Sequence, residues 1–173
     1  MKVLAIPFLA LILLACAKEK PRPVAVQAPV VANTEKQAEE IKRAEIIAFA
    51  KKYMGTAYCY ASSDPKKGFD CSGFVNFVFN NFGIDLPRSS SGFANIGRKL
   101  KPEEFQIGDV LVFYGYQDSK SIGHVGIICE ANGMKSKFIH SSSGKEMAVT
   151  ISELGSEMYT RRFYKCVDVI GGK

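Results

Sequence analysis

The 173-residue sequence predicts an α+β protein in which helices come first and a mostly antiparallel sheet follows. Apolar residues at helical spacing mark the first part of the chain, up to about residue 97, and segments rich in β-branched and aromatic residues mark the rest. Apolar residues make up 47% of the chain and charged residues 23%, which is typical of a globular protein and excludes a mainly disordered or collagen-like one.

The N-terminal residues are typical of an export signal. Lys2 supplies a positive charge, and residues 3–15 are apolar and uncharged. This run is shorter than the about 20 residues that a membrane-spanning helix needs, but it suits a signal peptide. It ends in Leu-Leu-Ala-Cys at residues 13–16, which resembles the bacterial lipobox. We expect residues 1–15 to be a lipoprotein signal peptide and Cys16 to carry a lipid anchor; the alternative is a plain signal peptide with a chance cysteine.

Residues 16–33 are predicted to be the lipidated cysteine and an extended tether. Pro21, Pro23 and Pro29 are spread among Val, Ala and Gln without a helical pattern, and this composition favours polyproline-like chain. Such a spacer would let an anchored domain reach beyond the membrane surface. The formal charge of +6 is too small to indicate a nucleic-acid partner. Residues 34–173 remain for one folded domain.

Three helices are predicted in the first part of that domain. Thr34 opens a capping box, and the helix that it starts continues toward Gly55, which can end it in a left-handed conformation. A second helix is predicted over residues 70–82, with Asp70 as its N-cap and a broad apolar face. A short third helix is predicted within residues 89–97.

Five later segments predict the strands of the sheet. They are rich in β-branched and aromatic residues, and clusters of Gly, Asn, Asp and Ser separate them as turn residues should. The predicted strands are residues 110–114, 124–129, 138–141, 148–151 and 162–170.

One cysteine differs from the others in its position. Cys71 lies in the first turn of the predicted second helix, where unpaired backbone N–H groups and the helix dipole stabilise an anion. We therefore expect the pKa of this thiol to be lowered, which makes it a candidate nucleophile. The remaining cysteines are expected to be buried free thiols, although an exported protein can oxidise a pair; they are Cys59, Cys129 and Cys166.

The chain has two histidines, and each lies at the end of a predicted strand. If the two strands are antiparallel neighbours, His124 and His140 come to one end of the sheet. A thiol, an imidazole base and a third group that orients the base make up an activated nucleophile. Taken singly, each histidine is explained as a hydrogen-bonded residue at a strand end. Cys71 and the two histidines are also a possible zinc set, but no fourth ligand is apparent.

Five motifs in order resemble the landmarks of the NlpC/p60 family of cell-wall cysteine peptidases. The resemblance extends from about residue 42 to the C-terminus and implies a papain-like α+β domain that needs no cofactor. The motifs are Gly-Phe-Asp-Cys-Ser-Gly-Phe-Val at residues 68–75, Leu-Pro-Arg-Ser-Ser at 86–90, Gly-Asp-Val-Leu-Val-Phe at 108–113, Gly-His-Val-Gly-Ile at 123–127 and Phe-Ile-His-Ser-Ser at 138–142.

The resemblance also implies roles for individual residues. It makes Cys71 the nucleophile, His124 the general base and His140 the residue that orients His124. Tyr58 matches a family tyrosine whose hydroxyl, with the backbone N–H of Cys71, would stabilise the oxyanion; the alternative is a core aromatic in a loop. Substrate contacts are expected from Asp70, Ser72 and Arg88, although helix capping alone also explains Asp70.

We therefore expect a lipid-anchored endopeptidase that cuts peptidoglycan in the bacterial envelope, on the periplasmic side of the outer membrane. The scissile bond is either the D,D cross-link between diaminopimelate and D-Ala or the γ-D-glutamyl-diaminopimelate bond of the stem. One alternative is a non-catalytic wall-binding lipoprotein that keeps the fold. Another is acyl or amide chemistry on a lipid or toxin substrate.

Overall fold

The computed structural model describes residues 28–116 and 120–171. The predicted signal peptide, the lipidation site at Cys16 and most of the predicted tether lie outside these residues. Within the described ranges, no helix combines the length and the apolar character that crossing a bilayer requires.

The first helix, α1, spans Ala28–Lys51. The predicted helix start at Thr34 is therefore wrong, and the last residues assigned to the tether, 28–33, are helical. Pro29 lies in the first turn of α1, where the N–H that proline lacks would have no partner within the helix. After α1 the chain turns at Gly55, whose φ of +80° is the left-handed conformation predicted there.

The second helix, α2, spans Cys71–Asn80 and begins as predicted. Asp70 is its N-cap, and Oδ1 of Asp70 accepts a hydrogen bond of 2.6 Å from the backbone N–H of Gly73. Six of the ten residues of α2 are buried, and the four large ones form its apolar face. These four are Phe74, Val75, Val78 and Phe79.

The short elements around the helices were predicted less completely. A 3₁₀ helix at Ser90–Asn95, capped by Ser89, occupies the place of the predicted third helix. A small two-stranded ribbon, β1 (Ser63–Asp64) with β2 (Gly68–Phe69), directly precedes α2 and was not predicted. A third α-helix, α3 (Glu157–Arg162), was also not predicted, and it shortens the last predicted strand at its start.

The remaining strands form one antiparallel sheet in the order β6-β5-β4-β3-β7. This confirms the α+β class and the antiparallel sheet. The strands are β3 (Val110–Tyr114), β4 (Ile122–Glu130), β5 (Lys137–Ser141), β6 (Val149–Glu153) and β7 (Phe163–Val167).

The sheet separates two apolar layers. On one face, α1 and α2 contribute side chains such as Ile46 and Phe74 to a core that includes Val125 and Ile127 of β4. On the other face, Phe113, Ile128 and Phe138 pack against Leu154 and against Tyr159 of α3. The start of α2 consequently lies against one face of the central strands, whereas α3 lies on the opposite face.

Candidate active site

The site is built around the first residue of α2. The Cys71 side chain is half-buried, so the thiol is not sealed in the core. The backbone N–H of Val125, on β4, interacts with its sulfur. The thiol therefore lies against the strand that carries His124, one residue beyond that histidine.

The predicted lowering of the Cys71 pKa is wrong. Burial raises the pKa of this thiol, and the adjacent Asp70 carboxylate raises it further. The backbone N–H groups of Val125, Ser72 and Cys71 itself oppose the rise without cancelling it. The thiol is consequently neutral near neutral pH, and a base must remove its proton before or during attack.

The two imidazoles lie together, as the sequence predicted. β4 and β5 are antiparallel neighbours, and Nε2 of His124 is 2.9 Å from Nδ1 of His140. His124 is 7% exposed and His140 is fully buried. The ring planes are perpendicular, with centroids 4.8 Å apart. This arrangement turns the Nε2 edge of His124 toward its partner and leaves its Nδ1 for another contact.

A glycine in β4 makes this approach possible. A Cβ atom on Gly126 would lie 2.5 Å from Cδ2 of Phe138 and 3.0 Å from Cβ of His140. Both of those residues are on β5, and they pack directly across the space that a side chain at position 126 would fill. Gly126 therefore belongs to the support of the His140 ring.

A hydrogen-bond chain continues beyond His140. Nε2 of His140 is 2.9 Å from Oγ of Ser152, on β6, and 3.4 Å from the hydroxyl of Tyr159, on α3. If His124 keeps Nδ1 unprotonated as a base, its Nε2–H donates to Nδ1 of His140. His140 then carries its own proton on Nε2 and donates it to Ser152. With His124 as the base, this chain of hydrogen bonds assigns one tautomer to each ring.

Burial keeps both imidazoles neutral. It lowers the pKa of His124 well below 6.5, and repulsion from Arg162 and from His140 in its protonated form lowers it further. Burial also lowers the pKa of His140 to about 4. A neutral His124 can accept a proton from the neutral thiol of Cys71. The two residues are therefore suited to general-base catalysis, and they do not form a thiolate–imidazolium ion pair at rest.

Tyr58 lies in the loop that precedes α2. Its backbone N–H donates to the carbonyl of Met147 at 2.8 Å, which holds the loop in front of α2. Burial raises the pKa of the Tyr58 hydroxyl, and the charges of Cys71 and Asp70 raise it further. The hydroxyl is therefore protonated near neutral pH and able to donate a hydrogen bond.

The three predicted substrate-contact residues form a single cluster. Nη1 and Nη2 of Arg88 lie 2.9 and 2.7 Å from the two carboxylate oxygens of Asp70, and Nη1 is 3.3 Å from Oγ of Ser72. The Arg88 side chain is 43% exposed, whereas that of Asp70 is 11% exposed. Both oxygens of Asp70 are engaged by the cap and by Arg88, so Arg88 is the member that faces solvent.

The other cysteines of the described residues are free. Cys129 and Cys166 are buried, as predicted, whereas Cys59 is only half-buried, contrary to the prediction. Among the side chains of residues 34–116 and 120–171, no group of three or more His, Cys, Asp or Glu is arranged to hold a metal ion.

A cleft of about 790 Å³ adjoins His124, and nothing in the sequence predicted it. Ser152, Tyr159 and Arg162 line it together with the loop at residues 142–146. A start signal for α3 is visible in the sequence, since Ser156 is a favoured N-cap type and Glu157 follows it. The cleft itself forms from segments far apart in the chain and leaves no local signal.

A thiol at a helix start, against the strand that carries one of two paired imidazoles, is the arrangement expected of a papain-like cysteine–histidine site. The comparison with known proteins specifies the class further. The model of the NlpC/P60 family matches residues 55–168. The chain belongs to this family, which confirms the resemblance seen in the sequence.

Individual relatives agree with this assignment. The gamma-DL-glutamyl hydrolase of Bacillus subtilis (strain 168) is 36% identical over 115 residues, which are 66% of this chain and 26% of that protein. An NlpC/P60 family protein from Bacillus cereus ATCC 10987 matches with a TM-score of 0.65 and 27% identity, over 74% of this chain and 40% of that one. A Staphylococcus aureus Mu50 protein, described as similar to lipoprotein of the NLP/P60 family, matches with a TM-score of 0.62 and 28% identity, over 72% and 40%.

Proposed function

We propose that the chain is a cysteine endopeptidase that cleaves peptide bonds in peptidoglycan. Membership of the NlpC/P60 family supports this, as does the similarity to a gamma-DL-glutamyl hydrolase, although the match spans about a quarter of that relative's length. The observation that carries the proposal is the Cys71 thiol against the backbone of Val125, the residue that follows His124, together with the 2.9 Å contact between the His124 and His140 rings.

In the first step, the sulfur of Cys71 forms a bond to the carbonyl carbon of the scissile amide. Because the thiol is neutral, its proton moves to Nδ1 of His124 as the sulfur attacks. His140 accepts the Nε2–H of His124 and keeps the ring in orientation. The oxyanion is stabilised by the hydroxyl of Tyr58 and the backbone N–H of Cys71.

In the second step, His124 returns the proton to the amine nitrogen. The C–N bond breaks, the amine half of the substrate leaves, and the acyl half remains on Cys71 as a thioester. Water then attacks the thioester, and His124 takes a proton from that water. The carboxylic acid departs as the proton returns to the sulfur, and the neutral thiol is restored.

Digestion of purified sacculi tests this function. The wild-type chain is expected to release peptide fragments whose masses identify the bond. Cutting the D,D cross-link converts cross-linked dimers to monomers, and cutting the γ-D-glutamyl bond leaves stems that end in D-glutamate. Cys71→Ser is expected to release none, and Cys59→Ser, which alters another partly exposed thiol, is expected to act like wild type. Equal release by wild type and Cys71→Ser, or no release by either, would overturn the proposal; the second outcome would favour the wall-binding alternative.

We also propose that Cys16 anchors the enzyme to a membrane in the bacterial envelope. The lipobox-like residues 13–16 support this, as does the similarity to a Staphylococcus aureus protein described as similar to lipoprotein. Because Ala17, and not Asp, follows the cysteine, we propose the outer membrane, facing the periplasm, if the host has two membranes. Metabolic labelling with a fatty-acid analogue is expected to mark wild type but not Cys16→Ser; equal labelling of both would contradict the anchor.

A further inference from the structure

The cleft beside His124 contains an arginine that takes no part in the proposed mechanism. Arg162, the last residue of α3, lines the cleft together with Tyr116 and Tyr159. Its Nε donates to the carbonyl of Tyr114 at 2.9 Å, and its guanidinium lies 5.7 and 5.9 Å from the ring centroids of Tyr116 and Tyr159. The head group is therefore held in place by one hydrogen bond and two rings.

Arg162 forms no ion pair with an aspartate or glutamate of residues 34–116 and 120–171. The side chain is half-buried, and burial lowers its pKa, yet a guanidinium remains protonated in proteins. A positioned, partly desolvated guanidinium that has no carboxylate partner among these residues is suited to bind an anionic ligand group, above all a planar carboxylate.

The other charges of the cleft are compatible with such a ligand. Lys145 adds a second cation to the lining. Glu146 is the one carboxylate among the lining residues of the described chain, and its Oε2 accepts a hydrogen bond of 3.2 Å from Ser142. The cleft is therefore cationic at Arg162 and mixed in charge along the loop at residues 142–146.

The position of the cleft indicates which half of the substrate enters it. In the proposed mechanism His124 gives its proton to the leaving amine, so that nitrogen lies within hydrogen-bond distance of Nδ1 of His124. Because His124 and Arg162 line the same cleft, the residue that supplies the amine is the part of the substrate that can extend toward Arg162.

We propose that Arg162 determines specificity by binding a free carboxylate on the substrate residue that supplies the leaving amine. The proposal rests on the peptidase function proposed above and narrows its substrate class to peptides with a carboxylate on that side of the bond. Arg162 acts in binding and takes no part in proton transfer.

A pair of synthetic peptides tests the proposal. Both contain the bond that the sacculus digest identifies, and they differ only in whether the residue supplying the leaving amine bears a free carboxylate or a carboxamide. Wild type is expected to cleave the carboxylate peptide with a kcat/KM about 10- to 100-fold higher, the range for a charge-assisted hydrogen bond. Arg162→Gln is expected to bring this ratio close to one. Arg161→Gln, which changes the exposed neighbour outside the cleft, is expected to keep the wild-type ratio.

The ratio of two substrates within one variant does not depend on how much of the protein is folded, so a partly unfolded Arg162→Gln still gives a valid result. Arg162→Lys, which keeps the charge without the planar fork, is expected to show an intermediate ratio. A wild-type ratio near one, or a wild-type ratio retained in Arg162→Gln, would overturn the role of Arg162 while leaving the peptidase function intact. Cleavage of neither peptide by wild type would instead overturn the function on which the role rests.

Discussion

At Cys71, two opposing effects act on the same sulfur. A helix N-terminus stabilises a nearby anion by about 0.3–1 kcal/mol, which is less than one pKa unit. Burial acts in the opposite direction, and the N-cap carboxylate of Asp70 places a negative charge beside the thiol. Together these effects raise the pKa of the thiol, so in the proposed mechanism His124 must remove the thiol proton.

Alkylation measures this directly. In a Cys59→Ser background, the rate at which iodoacetamide labels Cys71 is expected to rise with pH through an apparent pKa above 9.0, because burial and Asp70 both disfavour the thiolate. Labelling is followed by peptide mass, with the buried Cys166 as an internal unreactive control. A half-maximal rate at or below neutral pH would show that a thiolate–imidazolium pair exists in the resting enzyme.

Ser152 is expected to contribute through His140. Ser152→Ala removes the acceptor for the Nε2–H of His140, so the tautomer that keeps His124 basic is less favoured. We expect kcat to fall about 10-fold with KM unchanged, the size of one neutral hydrogen bond, and Ser152→Thr to restore most of the rate. Steady-state kinetics and a thermal melt separate this from misfolding. An unchanged kcat in Ser152→Ala would show that the hydrogen bond between Ser152 and His140 does not contribute to catalysis.

Among the secondary-structure elements, those with many residues were predictable and those with few were not. α2 was predictable because one cap residue and a broad apolar face agree over ten residues. β1 and β2 have two residues each and α3 has six, so no periodicity can develop in them. The sequence predicts the start of α1 too late because the Pro-containing composition of residues 28–33 favours extended chain, whereas the helix begins at Ala28.

The pairing of β4 with β5 depends on Gly126. Gly126→Ala is expected to displace Phe138 and His140, because the new Cβ would overlap both side chains. We expect a loss of about 1–3 kcal/mol in the free energy of unfolding and a fall in kcat. Gly144→Ala, whose new Cβ would lie 3.2 Å from Oγ of Ser142, serves as the matched control for stability. Wild-type stability and kcat in Gly126→Ala would show that β5 adjusts without moving the ring.

For the molecule as a whole, the sequence predicted the candidate catalytic residues and the structure adds what surrounds them. Cys71, His124 and His140 could be found because each lies in a local motif with a resemblance to one family. The cleft and the Arg162 site could not, because they form only when α3 packs against β3 and the 142–146 loop closes beside them. Long-range packing of this kind has no signature in any one segment.

One buried ion-pair group links the two ends of the domain. Arg43 of α1 lies 2.8 Å from Asp109, before β3, and 2.8 Å from Asp168, after β7. Arg43→Ala leaves the buried Asp109 carboxylate without its cation, and we expect a loss of about 3–5 kcal/mol in the free energy of unfolding. Urea denaturation measures it, with Lys36→Ala, from an exposed ion pair of α1, as the control. A loss below about 1 kcal/mol would show that water replaces the arginine.

The most direct test of the account is the kcat/KM of three proteins on one synthetic stem peptide that contains the identified bond. If Cys71 is the nucleophile that His124 activates, Cys71→Ser is expected to lose more than about a thousandfold in kcat/KM, because a serine hydroxyl is a far weaker nucleophile in a site built for sulfur. Cys59→Ser is expected to match wild type. A Cys71→Ser enzyme within tenfold of wild type would contradict the account, since the bond would then be broken without that thiol.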